Sequence, residues 1–151
     1  MRYTVDASFF FSEAILEGEI FTPPSVVEEI ADVRSKCRLE ALLASGLTVV
    51  PSSAASARRV SAAAAGTGDA ARLSPADTDL LALSLDVGAT VVTDDYAVQN
   101  VAGKLGLKVR GILQREARPR RWKFRCPGCR QRYDLPGTCP VCGLALSRSL
   151  K

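Results

Sequence analysis

The 151 residues include 20 Lys and Arg, 16 Asp and Glu, five cysteines and no histidine. Without histidine, a Ser-His-Asp or Cys-His nucleophile system is excluded, and any metal must be held by carboxylates, thiolates or neutral oxygens. Residues 1–113 carry 10 basic and 14 acidic side chains, whereas residues 114–151 carry 10 basic and 2 acidic ones, an asymmetry that suggests a basic segment with a polyanionic partner. A solvated basic tail is the plainer reading. Asp6 interrupts the first apolar run, and no run approaches the roughly 18 residues of a membrane span. The expectation is a soluble, cytoplasmic protein with no membrane partner, its cysteines kept for metal rather than disulfides.

In chain order, Arg2–Val5 reads as a short strand ending at Asp6, followed by an apolar helical stretch from Ser8 to about Leu16. Thr22-Pro23-Pro24-Ser25 is a helix-start signal, because proline suits the first turn. The helix beyond it either runs on or breaks before Cys37–Ala44; Cys37 is most simply a small apolar residue with no role. Leu47–Val50 is a second strand, and residues 52–72 an alanine-rich helix with a flexible loop. Ser74-Pro75 opens a helix that buries Leu80, Leu81, Leu83 and Leu85 and ends at Gly88. Ala89–Thr93 is a third strand, Ala97–Leu105 a helix, and Leu107–Ile112 a fourth strand. Strands separated by helices imply right-handed crossovers and an α/β fold, a mostly parallel sheet flanked by helices. The pattern fails from Gln114 to Arg125, where six basic residues surround Pro119. The resulting division is a domain over 1–113, a basic linker over 114–124 and a cysteine module over 125–151.

In open parallel sheets, ligands gather outside the carboxyl ends of the strands. Asp6 ends the first strand and Asp94-Asp95 end the third, while Glu28, Glu29, Asp77 and Asp79 lie near expected helix starts on the same rim. Carboxylates brought together raise one another's pKa unless a cation compensates, and Mg²⁺ or Mn²⁺ is the natural hard, oxygen-seeking choice. Such an ion activates water and stabilises the leaving oxygen in phosphodiester cleavage. Each acid also has a duller reading. Glu28 could close a capping box with Ser25, and Asp77 with Ser74. Asp79 and Asp86 read as solvated, and Asp94-Asp95 as a turn. Asp6, closing an apolar strand before three phenylalanines, is the hardest to dismiss.

These residues carry a resemblance. Val5-Asp6-Ala7-Ser8 looks like the start of a PIN domain, whose first strand ends in a metal-binding aspartate. Val26-Val27-Glu28-Glu29-Ile30-Ala31-Asp32 resembles that family's second acidic motif, in which the metal-facing glutamate precedes the aliphatic residue; this selects Glu29. Leu73 to Leu83 is similar to the third motif, with Asp77 as its acid. Val91-Val92-Thr93-Asp94-Asp95-Tyr96 resembles the fourth, with Asp95 preferred over Asp94. Four motifs in order are a strong signal where one is weak.

Cys126-Pro-Gly-Cys129 and Cys139-Pro-Val-Cys142 stand nine residues apart. Two C-x₂-C turns supply four thiolates to a tetrahedral zinc ion, and a site closed in this way is structural rather than catalytic. A redox dithiol is the competing reading. Arg118, Arg120, Arg121, Lys123, Arg125, Arg130 and Arg132 are interleaved with Trp122, Phe124 and Tyr133. Aromatic faces stack on unpaired bases while guanidinium groups meet phosphates, or the aromatics simply cover the small metal core.

A PIN domain followed by a Cys₄ zinc ribbon, with Tyr96-Ala-Val-Gln99-Asn100-Val101 after the fourth acid, resembles the Nin-one-binding endonuclease family in its short archaeal form. That resemblance implies a Mg²⁺- or Mn²⁺-dependent cut at the 3′ end of precursor 16S-type RNA on a pre-ribosomal particle, with assembly proteins as further partners. It places the divalent metal on Asp6, Glu29, Asp77 and Asp95. A toxin-type PIN ribonuclease and a non-catalytic RNA-binding assembly factor are the alternatives.

Overall fold

The first strand, β1 (Arg2–Val5), buries Tyr3, Thr4 and Val5 in succession. A strand covered on both faces reads this way, whereas a half-exposed one alternates. The computed structural model describes residues 1–113 and 123–149 and divides the chain into two compact units, Met1–Arg115 and Glu116–Lys151. In the first unit β1 is joined by β2 (Glu19–Thr22), β3 (Thr48–Val49), β4 (Thr90–Val92) and β5 (Val109–Arg110), in the order β3-β2-β1-β4-β5. Every pairing is parallel. Thr4 sits between Phe21 of β2 and Val91 of β4.

Neighbouring residues of a strand point to opposite faces, so Val91 and Val92 enter different apolar clusters. Val92 joins Val5, Phe9, Phe10, Val26, Ile30, Leu39 and Leu47, supplied largely by helices α1 (Ala7–Phe11), α2 (Pro24–Glu29) and α3 (Val33–Ala44). Val91 joins Val60, Leu80, Leu81, Val98 and Val101, supplied by α4 (Ala54–Thr67), α5 (Pro75–Val87) and α6 (Tyr96–Lys104). Each fully buried Leu or Val contributes roughly 1.5–3 kcal/mol relative to exposure. The buried hydroxyls of Thr4 and Ser84 pair with each other, so β1 meets α5 without leaving a polar atom unsatisfied.

Two features differ from the sequence expectations, and a third settles an alternative they left open. The helix expected from Ser8 to about Leu16 is α1, which stops at Phe11, because only Phe9 and Phe10 are buried and Ile15 beyond them is 84% exposed. The segment that follows forms β2, a strand the sequence pattern did not reveal. Its entry passes Gly18 at φ 139°, where an added Cβ would lie 2.3 Å from the Met1 carbonyl oxygen. A four-residue strand behind such a turn is too short to show a period. Lastly, α2 and α3 are separate helices: the chain breaks at Ile30, and Asp32 caps α3 by accepting the Ser35 N–H at 2.9 Å. Cys37 lies exposed on α3.

The second unit holds an antiparallel sheet, β7-β6-β8, made of β6 (Lys123–Arg125), β7 (Arg132–Tyr133) and β8 (Ser147–Ser149). Lys123 and Phe124, given to the linker by the sequence pattern, are strand residues of this sheet. Arg118, Arg120, Arg121 and Trp122 lie outside the described residues. Among the described residues, no helix is long and apolar enough to cross a membrane.

Candidate functional site

From β1 the chain moves outward through β2 to β3, then returns through α4 and α5 to place β4 on the other side of β1. The gap between the ends of β1 and β4 is therefore the topological switch point, where open α/β sheets receive ligands. Val5 pairs with Val92, which brings the next residues, Asp6 and Thr93, side by side. Thr93 is fully buried, and its hydroxyl donates to Asp6 Oδ2. The Thr93 hydroxyl oxygen in turn accepts the Asp95 N–H at 3.1 Å. One buried threonine thus ties the acid after β1 to the acid after β4. Gln99 braces it in turn, its Nε2 donating to the Thr93 carbonyl at 3.0 Å. The sequence motif contained both residues, but nothing in it marked them as supports.

Local capping holds the acids. Asp6 caps α1 through the Phe9 N–H at 3.3 Å and also accepts the Ser8 hydroxyl. Asp95 caps α6, accepting from Ala97 and Val98 N–H at 2.8 and 3.2 Å with one carboxylate oxygen. Asp77 forms the capping box with Ser74: each residue's side chain accepts the other's backbone N–H, at 3.1 and 2.9 Å. Glu29 is the last residue of α2, not near its start, and it lies exposed at the rim.

Electrostatics connects three of these groups. The Glu29 carboxyl is raised above its ordinary value by partial burial, then by the negative charges of Asp77 and Asp6. Asp6 is also raised: its burial outweighs the hydrogen bonds from Ser8, Thr93 and Phe9. Among the described residues none of Asp6, Glu29, Asp77 and Asp95 forms an ion pair; the pairs present are Arg2–Glu19, Arg34–Glu13 and Lys123–Asp134. A clustered set of acids without a basic partner fits a hard divalent cation. Among the described residues these carboxylates do not converge as the cysteines described below do, and Mg²⁺, which keeps several of its waters, is held by few direct protein ligands.

The other acids are employed elsewhere. Asp94 turns away, accepting the Ile112 and Leu113 N–H groups at 2.8 and 3.2 Å. Asp79 is half-buried rather than solvated and accepts the Ser25 hydroxyl at 2.6 Å. That bond uses the hydroxyl expected to cap α2, whose N-cap is Pro23 with no side-chain cap. The Ser25–Glu28 capping box therefore does not form. Asp86 is exposed, yet it accepts the Ser53 N–H at 2.6 Å and the Ser53 and Ser56 hydroxyls, fastening the start of α4.

In the second unit, the ligand atoms of Cys126, Cys129, Cys139 and Cys142 all lie within 4.8 Å of one another. Two knuckles with the same hydrogen bonds build this cluster. Arg130 N–H donates to the Cys126 carbonyl at 3.0 Å, and Gly143 N–H to the Cys139 carbonyl at 2.9 Å. Cys126 N–H reaches the Gln131 carbonyl, and Cys139 N–H the Leu144 carbonyl, at 3.0 and 2.8 Å. Both knuckles put the residue after the second cysteine in the left-handed region, Arg130 at φ 62° and Gly143 at φ 70°. Gly128 leaves room that a side chain would fill: an added Cβ would lie 2.9 Å from Leu144 Cδ1 and 3.4 Å from Cys142 Sγ.

The thiols also show the chemistry of a metal cradle. The Tyr133 hydroxyl and the Cys142 N–H lower the Cys139 thiol to about 6, each 3.4 Å from its sulfur. Hydrogen bonding to Cys129, then burial, raises Cys142 to about 12. Four thiolates this close require a cation for all to be ionised together, as zinc ligation demands. Tyr133 is therefore part of the cluster's cover. Among the basic residues here, Lys123 pairs with Asp134, Arg125 Nε reaches the Arg130 carbonyl at 3.3 Å, and Arg132 is exposed.

The family model described as the PIN domain of ribonuclease matches residues 4–87. Over 147 residues the chain is 40% identical to "Endoribonuclease Nob1" of Pyrococcus abyssi, covering 95% of this chain and 90% of that one. It is 36% identical over 158 residues to "Endoribonuclease Nob1" of Methanothermobacter thermautotrophicus, covering 98% and 92%. It is also 36% identical over 152 residues to "Ribonuclease VapC1" of Thermoplasma acidophilum, covering 98% and 78%. A parallel sheet with acids at its switch point, a cysteine cluster later in the chain and these relatives agree: the chain belongs to the PIN-domain ribonucleases, among the Nob1 endoribonucleases.

Proposed function

We propose that this chain cuts precursor small-subunit ribosomal RNA at its 3′ end, on a pre-ribosomal particle in the cytoplasm. The observation that carries the catalytic part is the meeting of Asp6, Glu29 and Asp77 at the switch point without a basic partner, Glu29 being raised by the other two charges. The relatives' printed names support endonucleolytic cleavage of RNA. The resemblance of the whole chain to the 3′-end maturation family supports the choice of RNA.

Asp6, Glu29, Asp77 and Asp95 are the residues to hold Mg²⁺ or Mn²⁺. Asp95 is preferred to Asp94 because one of its oxygens is left over from capping, whereas both oxygens of Asp94 accept backbone N–H groups. The metal supplies an activated water and charge neutralisation at the leaving oxygen. The protein's part is to fix the acids: Thr93 aligns Asp6 with Asp95, and the helix caps hold Asp6, Asp77 and Asp95 in place. The four cysteines hold zinc. Lys123, Arg125, Arg130 and Arg132 of the ribbon, together with Arg118, Arg120, Arg121 and Trp122 before it, position the RNA.

The test is incubation with a short RNA spanning the 3′ end of small-subunit rRNA, with Mn²⁺, Mg²⁺ or neither, beside Asp6→Asn. The expected result is one metal-dependent cut at the mature end, reduced at least a hundredfold in the variant. Equal cleavage by Asp6→Asn would remove Asp6 from the site. Likeness to VapC1 across 98% of this chain favours a second reading, a nuclease for another RNA. Cuts scattered along the precursor would support it.

A further inference from the structure

The residue after Asp95 opens a row that takes no part in the apolar core. Tyr96 is the first residue of α6 and is 77% exposed, so its ring adds little to the core. The buried face of α6 is Ala97, Val98, Val101 and Ala102. Asn100, Gly103 and Lys104 are exposed with Tyr96. Residues three to four apart share one face of a helix, so these four form a row about 12 Å long. It begins beside the acid rim and runs away from it. Gly103 lies one to two turns below Tyr96 and has nothing within 4 Å of the position a Cβ would occupy, so the ground there is open. Lys104 forms no ion pair among the described residues; its stem passes beside α4, Cε 3.9 Å from where a Cβ on Gly66 would stand, and the residue remains exposed. An aromatic face, an amide and a cation in sequence are the three chemistries that single-stranded RNA recognition combines: stacking, base-edge hydrogen bonds and phosphate contact.

We propose that the outward face of α6 seats the RNA strand beside the cut: Tyr96 stacks on an unpaired base, Asn100 hydrogen-bonds that base's edge, and Lys104 meets a backbone phosphate. The proposal rests on the nuclease reading, because it takes its register from a phosphate held at the neighbouring acids. It commits the site to an unpaired nucleotide, since a base within a duplex offers no free face to Tyr96.

The test uses the full chain and short single-stranded RNAs in which 2-aminopurine is moved one position at a time. Binding is read in Ca²⁺ without Mn²⁺ or Mg²⁺. Quenching is expected to peak at one position, to vanish there in Tyr96→Ala and to persist in Tyr96→Phe. With Mn²⁺, Tyr96→Ala should raise KM about tenfold with kcat within about twofold, whereas Tyr96→Phe should leave both unchanged. Lys104→Gln should reduce the slope of log affinity against log salt by about 0.7. Position-independent quenching, or a Tyr96→Ala protein that binds and cuts like the parent, would overturn the base seat. Quenching at one position without any cleavage in Mn²⁺ or Mg²⁺ would instead leave the seat standing and defeat the nuclease reading. Cleavage with no preferred quenching position would do the reverse.

Discussion

The two units of this chain solve the stability problem by opposite means. The first sandwiches a five-stranded sheet between two apolar clusters whose central members, among them Phe9, Leu81, Val91 and Val98, are at most 1% exposed. It can therefore hold uncompensated carboxylates at its rim, because packing elsewhere exceeds their repulsion. In the second unit, the buried apolar side chains among the described residues are Cys126 and Cys139, while Leu135, Val141 and Leu144 are exposed. Packing cannot order so small a sheet, and four thiols converge instead. The lesson concerns where a metal stands in the causal chain. On the proposed reading, the first unit folds without its ion, whereas the second needs its ion to fold.

The largest test of that contrast is zinc removal. Structural zinc contributes about 10–16 kcal/mol of apparent binding free energy in small modules. Cys126→Ser with Cys129→Ser should therefore erase the dispersed NMR signals of residues 123–149 and leave those of residues 1–113 in place. Loss of both sets together would make the units one cooperative body. Next in size is Leu81→Ala, which empties a fully buried position in α5 and should destabilise the first unit by about 2–5 kcal/mol. Thermal unfolding measures that loss, and a chromogenic chelator should show zinc content unchanged.

A smaller effect of opposite sign is expected at Arg130. The left-handed conformation costs a side-chain-bearing residue about 1 kcal/mol, and the matching position of the second knuckle is Gly143. Arg130→Gly should accordingly slow zinc release while weakening RNA binding by one phosphate contact. Faster release would mean that the arginine itself supports the knuckle. The smallest effect belongs to Asp86. Burial alone would raise its carboxyl, but hydrogen bonds from Ser56 and Ser53 outweigh that and hold it below the ordinary 3.8. A depressed folded-state pKa means that its stabilisation is complete above the unfolded value and fades as pH falls through the lower one. Asp86→Asn should lower the first unit's melting at pH 7 by a few degrees, with the difference from the parent shrinking as pH falls below about 4.

Much of the first unit could be read from residue pattern, because strong local signals coincide with its elements. Ser74-Pro75 opens α5 and Gly88 closes it in the left-handed conformation; the apolar run before Asp94 is β4. What escaped notice depended on distant partners. The strand β2 exists because β1 and β3 flank it, and nothing in Glu19–Thr22 announces that. Asp79 and Ser25 meet across 54 residues, and Thr93 and Asp6 across 87. A sequence reader sees Asp79 as a solvated helix residue and Thr93 as one more strand residue. The cysteine cluster was legible for the converse reason: its partners lie in two short turns whose spacing already contains the geometry.

Asp6, Asp77 and Asp95 each hold a backbone N–H at the start of a helix, whereas Glu29, at the end of α2, accepts no hydrogen bond among the described residues. Three of the four acids would thus be retained by folding alone in a lineage that had given up cleavage, since losing such a cap costs about 0.5–2 kcal/mol. Glu29 has no such second occupation. A relative with the three aspartates but no acid at this position would be a retired enzyme still wearing most of its active site, and counting acids would not reveal it.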